Sequence, residues 1–209
     1  MSEERGRSLK AYLSKRDFRR TPEPSGGRKK PGGKPVFVLQ KHDASTLHYD
    51  FRLEVSGVLR SWAVPKGPST DPREKRLAVP TEDHPLDYAD FEGVIPKGEY
   101  GAGTVIVWDA GSYRNLKEDD DGESVSMEDA IAEGHITVWL EGKKLKGGYA
   151  LIRTGRKEDD ERWLLIKMDD DEADARRNPV STEPESVLSG RTIEQVAQDE
   201  GEGKGGDSA

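Results

Sequence analysis

The chain is predicted to be mainly β, a single antiparallel β-barrel domain with a short helix and flexible charged termini. Two observations predict it. From Val36 onward, short Val/Ile/Leu/Trp/Tyr runs alternate with period two, and Gly, Pro and Asp separate one run from the next. No helical pattern alternates with these runs, which favours a closed or nearly closed antiparallel barrel over a parallel α/β sheet. At 209 residues, 35% charged and 32% hydrophobic, the chain has room for one core of roughly 100–150 residues plus tails. The expected division is a basic arm and Pro/Gly linker over 1–35, a barrel over 36–170, and an acidic, largely disordered tail over 171–209.

Taken in order, residues 8–20 read as a short basic helix. Pro22, Pro24, Gly26, Gly27, Pro31, Gly32, Gly33 and Pro35 then preclude a helix or central strand, because proline has no amide donor and ordering glycine costs entropy. The arm before this linker is therefore expected to be dispensable for folding. Strands are predicted over 36–42, 47–55, 58–64, 76–79, 103–108, 136–141, 145–154 and 162–168. Turns are marked by Ser56-Gly57, Asp109-Ala110-Gly111, Glu141-Gly142 and Thr154-Gly155. Residues 124–133 read as a short helix. Residues 91–104 are glycine-rich without the spacing of a phosphate-binding loop, and are expected to form a tight barrel corner. After residue 169 only 191–197 suggests a helix, opened by Thr192 with Gln195 three residues on.

Composition removes whole classes of chemistry. With no cysteine, the chain has no disulfide, thiolate metal site or cysteine nucleophile, and any metal must be held by His, Asp or Glu. There is no run of about 18 apolar residues and no apolar signal segment, so the cytoplasm is the expected location, away from membranes. The net charge of −8 conceals an uneven distribution. Residues 1–34 carry eleven Lys/Arg against four Asp/Glu, whereas 157–209 carry seven against sixteen. A basic arm can follow a phosphate backbone while a carboxylate-bearing core holds a divalent ion.

The segment Leu47-His48-Tyr49-Asp50-Phe51-Arg52-Leu53-Glu54-Val55 alternates without exception. In a strand its odd positions face the core and its even ones face out, placing His48, Asp50 and Arg52 on one face about 6.6–6.8 Å apart at successive steps. Gln40 and His42 share a face of the preceding strand, and the short polar loop 43–46 allows a hairpin that brings His42 beside His48 and Asp50. Two imidazoles and one carboxylate suit Mn²⁺, Fe²⁺ or Zn²⁺ and leave coordination positions open, the mark of a catalytic site. Arg52, next in register, could grip a phosphate oxygen bidentately. His84, within Glu82-Asp83-His84-Pro85, is expected in a Pro-containing loop as a binding or acid/base group, and His135 is read as structural.

Several longer motifs occur in order: Phe37-Val38-Leu39-Gln40-Lys41-His42, Leu47 to Leu53, Ser61-Trp62-Ala63-Val64-Pro65-Lys66-Gly67-Pro68, Glu82-Asp83-His84-Pro85, Phe91-Glu92-Gly93 and Gly98-Glu99-Tyr100-Gly101. Together they resemble the 3′-phosphoesterase domain of bacterial DNA ligase D over roughly residues 8–170. The resemblance implies a surface Mn²⁺ site on a barrel, with Zn²⁺ or Co²⁺ as substitutes. It implies a two-step activity at primer-template 3′ ends: a terminal ribonucleoside is removed, and the remaining 3′-phosphate is then hydrolysed to a hydroxyl. His42, His48 and Asp50 carry over as metal ligands, Arg52 and His84 as phosphate-binding groups, and Gln40, Lys66, Arg76 and Tyr88 as supporting residues. Lys15-Arg16-Asp17-Phe18 through Thr21-Pro22-Glu23-Pro24 resembles the family's N-terminal segment, which places Arg16, Asp17 and Glu23 near the substrate end. DNA ligase, polymerase and Ku proteins of end joining are the implied partners. The segment 186–192 resembles the linker that follows this domain in the larger ligase, and no ligase or polymerase pattern follows it, so a stand-alone relative or an excised domain is expected.

Two other readings fit parts of the pattern. A barrel with two histidines and one carboxylate also suits a cupin-like Fe²⁺ oxygenase, which leaves Arg52 and the basic arm without a role. A non-catalytic DNA-end adaptor would use the charged termini but would not need the three ligands.

Overall fold

The computed structural model describes residues 9–30, 32–154 and 161–201. A short helix α1 (Lys10–Ser14) precedes strands β1 (Val36–Asp43), β2 (Leu47–Val55), β3 (Val58–Val64) and β4 (Lys75–Pro85). A 3₁₀ turn (Leu86–Asp90), β5 (Gly93–Ile95), β6 (Gly103–Asn115), helix α2 (Met127–Glu133), β7 (His135–Gly142), β8 (Lys146–Arg153) and β9 (Trp163–Lys167) follow. Helices α3 (Pro179–Thr182) and α4 (Ile193–Gly201) come last. The strands run β1-β2-β3-β4-β9-β8-β7-β6, and β6 returns to pair with β1, closing an eight-strand antiparallel barrel with β5 attached to the start of β6. Closure leaves the eight strands without a free edge.

Local chemistry accounts for the elements. Ser56 and Gly57 both take positive φ, 50° and 80°, as a two-residue hairpin matched to the strand twist requires. Helix α2 starts where the Ser126 hydroxyl accepts from the Asp129 amide and stops at Gly134 in the left-handed conformation. The Thr192 amide donates to the Gln195 side chain, and the Gln195 amide donates to the Thr192 hydroxyl, a reciprocal cap for α4.

Several elements differ from expectation. β4 extends to Pro85, so His84 lies on a strand and not in a loop. Pro80 hid this extension. Residues 75–78 pair with β9 and residues 79–85 with β3; Pro80 therefore falls where β4 has one partner, and its missing amide proton breaks no second ladder. The expected corner at 91–104 contains β5. In the tail, the Val187 amide donates to Val107 O, Trp108 Nε1 donates to Glu183 O, and Ile193 and Val196 bury against Ile106. Its described part is thus packed on the barrel. Of the expected Thr154-Gly155 turn, Gly155 lies outside the described residues, as do positions 1–8 of the arm.

The inward residues, among them Phe37, Leu39, Phe51, Leu53, Trp62, Trp108, Tyr149 and Trp163, fill the barrel. A second apolar cluster lies outside its wall. There Tyr12 of α1 joins Leu86, Tyr88 and Ala89 of the 3₁₀ turn against Val38, Leu59, Val105 and Val107. The arm is consequently part of the packed structure, with Tyr12 fully buried and Thr21 and Glu23 nearly so. The expectation that it is dispensable gives way to this finding.

Candidate active site

β1 and β2 pair in the register that sets His42 opposite His48, Gln40 opposite Asp50 and Val38 opposite Arg52. The even positions face outward, but α1 and the 3₁₀ turn cover much of them, so Gln40, Asp50 and Arg52 are buried polar residues. Buried polar groups must find partners, and here their partners form two adjoining sites.

The first holds His42, His48 and Asp50, whose donor atoms lie within 4.8 Å of one another. Asp50 Oδ2 is 3.7 Å from His42 Nδ1 and 3.7 Å from His48 Nε2. The remaining nitrogen of each ring meets a main-chain carbonyl: His42 Nε2 is 2.9 Å from Gly101 O, and His48 Nδ1 is 2.9 Å from Thr46 O. Each carbonyl can only accept, so each fixes the ring proton on the far side and leaves the inward nitrogen bare for a cation. Burial alone would raise the Asp50 carboxyl, but the Arg52 guanidinium beside it holds it well below the usual carboxylate range. The donor set fits a divalent transition metal.

The second is a buried polar cluster around Arg52 and His84. Arg52 donates from Nε to Gln40 Oε1 (2.8 Å), from Nη1 to Ser61 Oγ (2.8 Å) and from Nη2 to Asp50 Oδ2 (3.1 Å). Gln40 is itself anchored, because its Nε2 donates to Tyr88 O and Phe91 O. The His84 Nδ1 lies 2.8 Å from Glu82 O and 2.9 Å from Arg52 Nη1. A carbonyl and a guanidinium make opposite demands on one nitrogen. Burial, then Arg52 and Arg16, push the His84 pKa well below its ordinary value, and the neutral ring with Nδ1–H donating to Glu82 O satisfies the carbonyl. Its Nε2 then accepts from Arg16 Nη2 at 3.4 Å.

Arg16 comes from the arm. Its guanidinium donates to Glu23 Oε1 (2.8 Å) and Glu82 Oε1 (3.1 Å) and covers the Tyr12 ring at 3.9 Å. Tyr88 donates its hydroxyl to Glu23 Oε1 and places its ring 5.0 Å from the Arg52 guanidinium carbon. Burial, reinforced by Glu23, raises the Tyr88 pKa well above its ordinary value and keeps it a donor.

The structure therefore gathers His42, His48, Asp50, Gln40, Arg52, His84, Tyr88, Arg16 and Glu23. It does not gather the other three. Asp17 turns to Arg19, Lys66 is exposed in the turn after β3, and Arg76 pairs with Glu74 on the inward-facing side of β4. Glu82, Ser61, Lys15 and Tyr12 were not singled out beforehand. Glu82, Ser61 and Lys15 sat inside motifs beside the residues they hold, whereas Tyr12 gave no signal apart from the basic helix.

A closed barrel that carries on its outer wall three side chains able to hold a cation, beside two buried arginines, defines a barrel protein with a candidate metal site. The chain belongs to the family described as the DNA Ligase D 3′-phosphoesterase domain, which matches residues 40–153. It is 52% identical over 189 residues to the multifunctional non-homologous end joining protein LigD of Pseudomonas aeruginosa, covering 88% of this chain and 22% of that protein. It is 46% identical over 166 residues to the corresponding DNA repair protein LigD of Mycobacterium tuberculosis, covering 77% and 20%. LigD of Mycolicibacterium smegmatis is 48% identical over 163 residues, covering 78% and 21%. The chain spans about a fifth of the length of these relatives. Membership supports a DNA end-processing role.

Proposed function

We propose that this chain is a Mn²⁺-dependent phosphoesterase that removes a 3′-terminal ribonucleoside from a DNA primer-template and then hydrolyses the remaining 3′-phosphate to a hydroxyl. The observation that carries the proposal is the contact between the two sites: Asp50, one of three metal donors, is ion-paired to Arg52 at 3.1 Å. A substrate phosphate bridging the metal and the guanidinium would have its charge balanced from both sides.

His42, His48 and Asp50 would hold the metal, which supplies a Lewis acid for a phosphate oxygen and a lowered pKa for bound water. Arg52, with its fork fixed by Gln40 and Ser61, is positioned to take charge developing on the phosphoryl oxygens. Arg16 adds a second fork from the arm. His84 Nε2 accepts from Arg16 in the free protein, and would bind phosphate or serve the leaving oxygen only after taking up a proton. Glu23 and Tyr88 hold Arg16 in place, and Lys66, Arg76 and Asp17 lie outside this cluster. The proposal extends to end-joining partners, namely DNA ligase, polymerase and Ku, and to the cytoplasm. No described helix is long and apolar enough to cross a membrane.

The test is a labelled primer-template ending in a ribonucleotide or a 3′-phosphate, incubated with and without Mn²⁺ and resolved on a gel. Sequential appearance of the 3′-phosphate and 3′-hydroxyl products is expected with Mn²⁺. Unchanged substrate under both conditions would overturn the proposal.

A further inference from the structure

Tyr100 sits at the rim of this pocket and has no part in the assignments above. The residue is 48% exposed, and it belongs to none of the three apolar clusters. Polar groups hold it instead. The hydroxyl accepts from Lys15 Nζ at 3.2 Å and donates to Glu82 Oε2 at 3.4 Å. Lys15 Nζ lies 4.5 Å from the ring centroid, and the Arg16 guanidinium carbon lies 5.4 Å from it. The next residue, Gly101, supplies the carbonyl that orients His42, and takes φ +75° to do so. A flat aromatic surface is thus fixed between a metal donor and the second arginine, with about half of it open to solvent.

We propose that Tyr100 is the stacking platform for the base of the leaving 3′-terminal nucleoside, a specificity-determining residue for the first of the two steps. This rests on the reading under Proposed function. With the phosphate held by Arg52, Arg16 and His84, the nucleoside beyond it must lie over the pocket rim, where Tyr100 is the exposed ring. An aromatic face stacks on any base, because every base has a π-face, so the platform selects for the presence of a base and not for its identity. In the second step no nucleoside lies beyond the phosphate, and the platform has nothing to hold.

The experiment uses the full chain with Mn²⁺ and its Tyr100→Phe and Tyr100→Leu variants, each checked by a thermal melt. Three 3′ ends are compared: a ribonucleoside, the same ribose lacking its base, and a phosphate. The KM ratio of base-bearing to baseless end should rise ~10-fold in Tyr100→Leu, within the strength of base–aromatic stacking, and stay near the wild-type ratio in Tyr100→Phe. A 2-aminopurine at the terminal position, read by fluorescence without turnover, should be quenched by wild type and Tyr100→Phe and not by Tyr100→Leu. An unchanged ratio in Tyr100→Leu overturns the platform. So does a Phe variant matching the Leu variant, which would make the hydroxyl a latch for Lys15 and Glu82. A wild-type chain inert on all three ends overturns the parent reading together with this one.

Discussion

Arg52 Nη2 stands 3.1 Å from Asp50 Oδ2, both on the outward face of β2 and both almost fully buried. The pair joins the cluster of His42, His48 and Asp50 to that of Arg52, His84 and Arg16, so a change at either residue is felt in both. Breaking a buried ion pair from one side leaves the other charge uncompensated, which is why such pairs are costly to mutate even when their net worth is small.

Removing a metal donor should abolish both activities. His42→Ala, His48→Ala and Asp50→Ala each leave two donors, and Mn²⁺ affinity by calorimetry should fall by more than ~100-fold, the upper end of what loss of an outer hydrogen-bonding partner costs. EDTA should inactivate the protein and Mn²⁺ restore it. Wild-type affinity in any of the three would refute the donor assignment.

At Arg52 the shape of the group matters as well as its charge. Lysine cannot reach Gln40, Ser61 and Asp50 together, so Arg52→Lys should retain partial activity and Arg52→Ala very little. The alanine variant should also lose stability, on the order of 3–5 kcal/mol, because Asp50 stays buried without its cation. Equal rates in the two variants would show that the fork is irrelevant.

The arm should prove structural. Deleting residues 1–22 removes Tyr12 and Arg16 and leaves Glu23 and Glu82 without that cation, so the melting temperature should fall clearly. Arg16→Ala alone should cost on the order of 3–5 kcal/mol, while Arg19→Ala, with its exposed side chain, should leave the melt unchanged. A truncated chain that melts like the full one would show that the arm merely rests on the barrel.

His84 should make the fold sensitive to mild acid. Its folded pKa lies well below the ordinary 6.5, so on acidification the unfolded chain takes up a proton near that value while the folded chain does not. The folded state is unpenalised above the ordinary pKa and loses stability as pH falls below it. Melting temperatures between pH 7 and 5 should therefore drop in wild type and drop less in His84→Asn, which cannot titrate. Parallel curves would remove His84 from the acid response.

The barrel and the gathering of His42, His48 and Asp50 were legible because period-two alternation states which side of a strand each residue takes, and the 43–46 loop was short enough to fix the hairpin. Alternation says nothing about what covers an outward face. Asp50 and Arg52 were correctly placed outward, yet Tyr12 and Tyr88 bury that face from positions 38 and 36 residues away in sequence. The full span of β4 was hidden by Pro80, whose neighbours change partner there. The docked tail was hidden by its polarity, since Val187, Ile193 and Val196 stand among mostly polar residues and show no sustained pattern.

The two histidine rings are oriented by the main-chain carbonyls of Thr46 and Gly101. Identity at position 46 is therefore free to drift, because any residue brings the same carbonyl. Loop length is not free. One residue inserted between Asp43 and Leu47 would move the carbonyl from beneath His48 while leaving every donor in the sequence. Homologues should thus tolerate substitution in this loop and reject insertions and deletions, a constraint on spacing that a search for invariant residues would overlook.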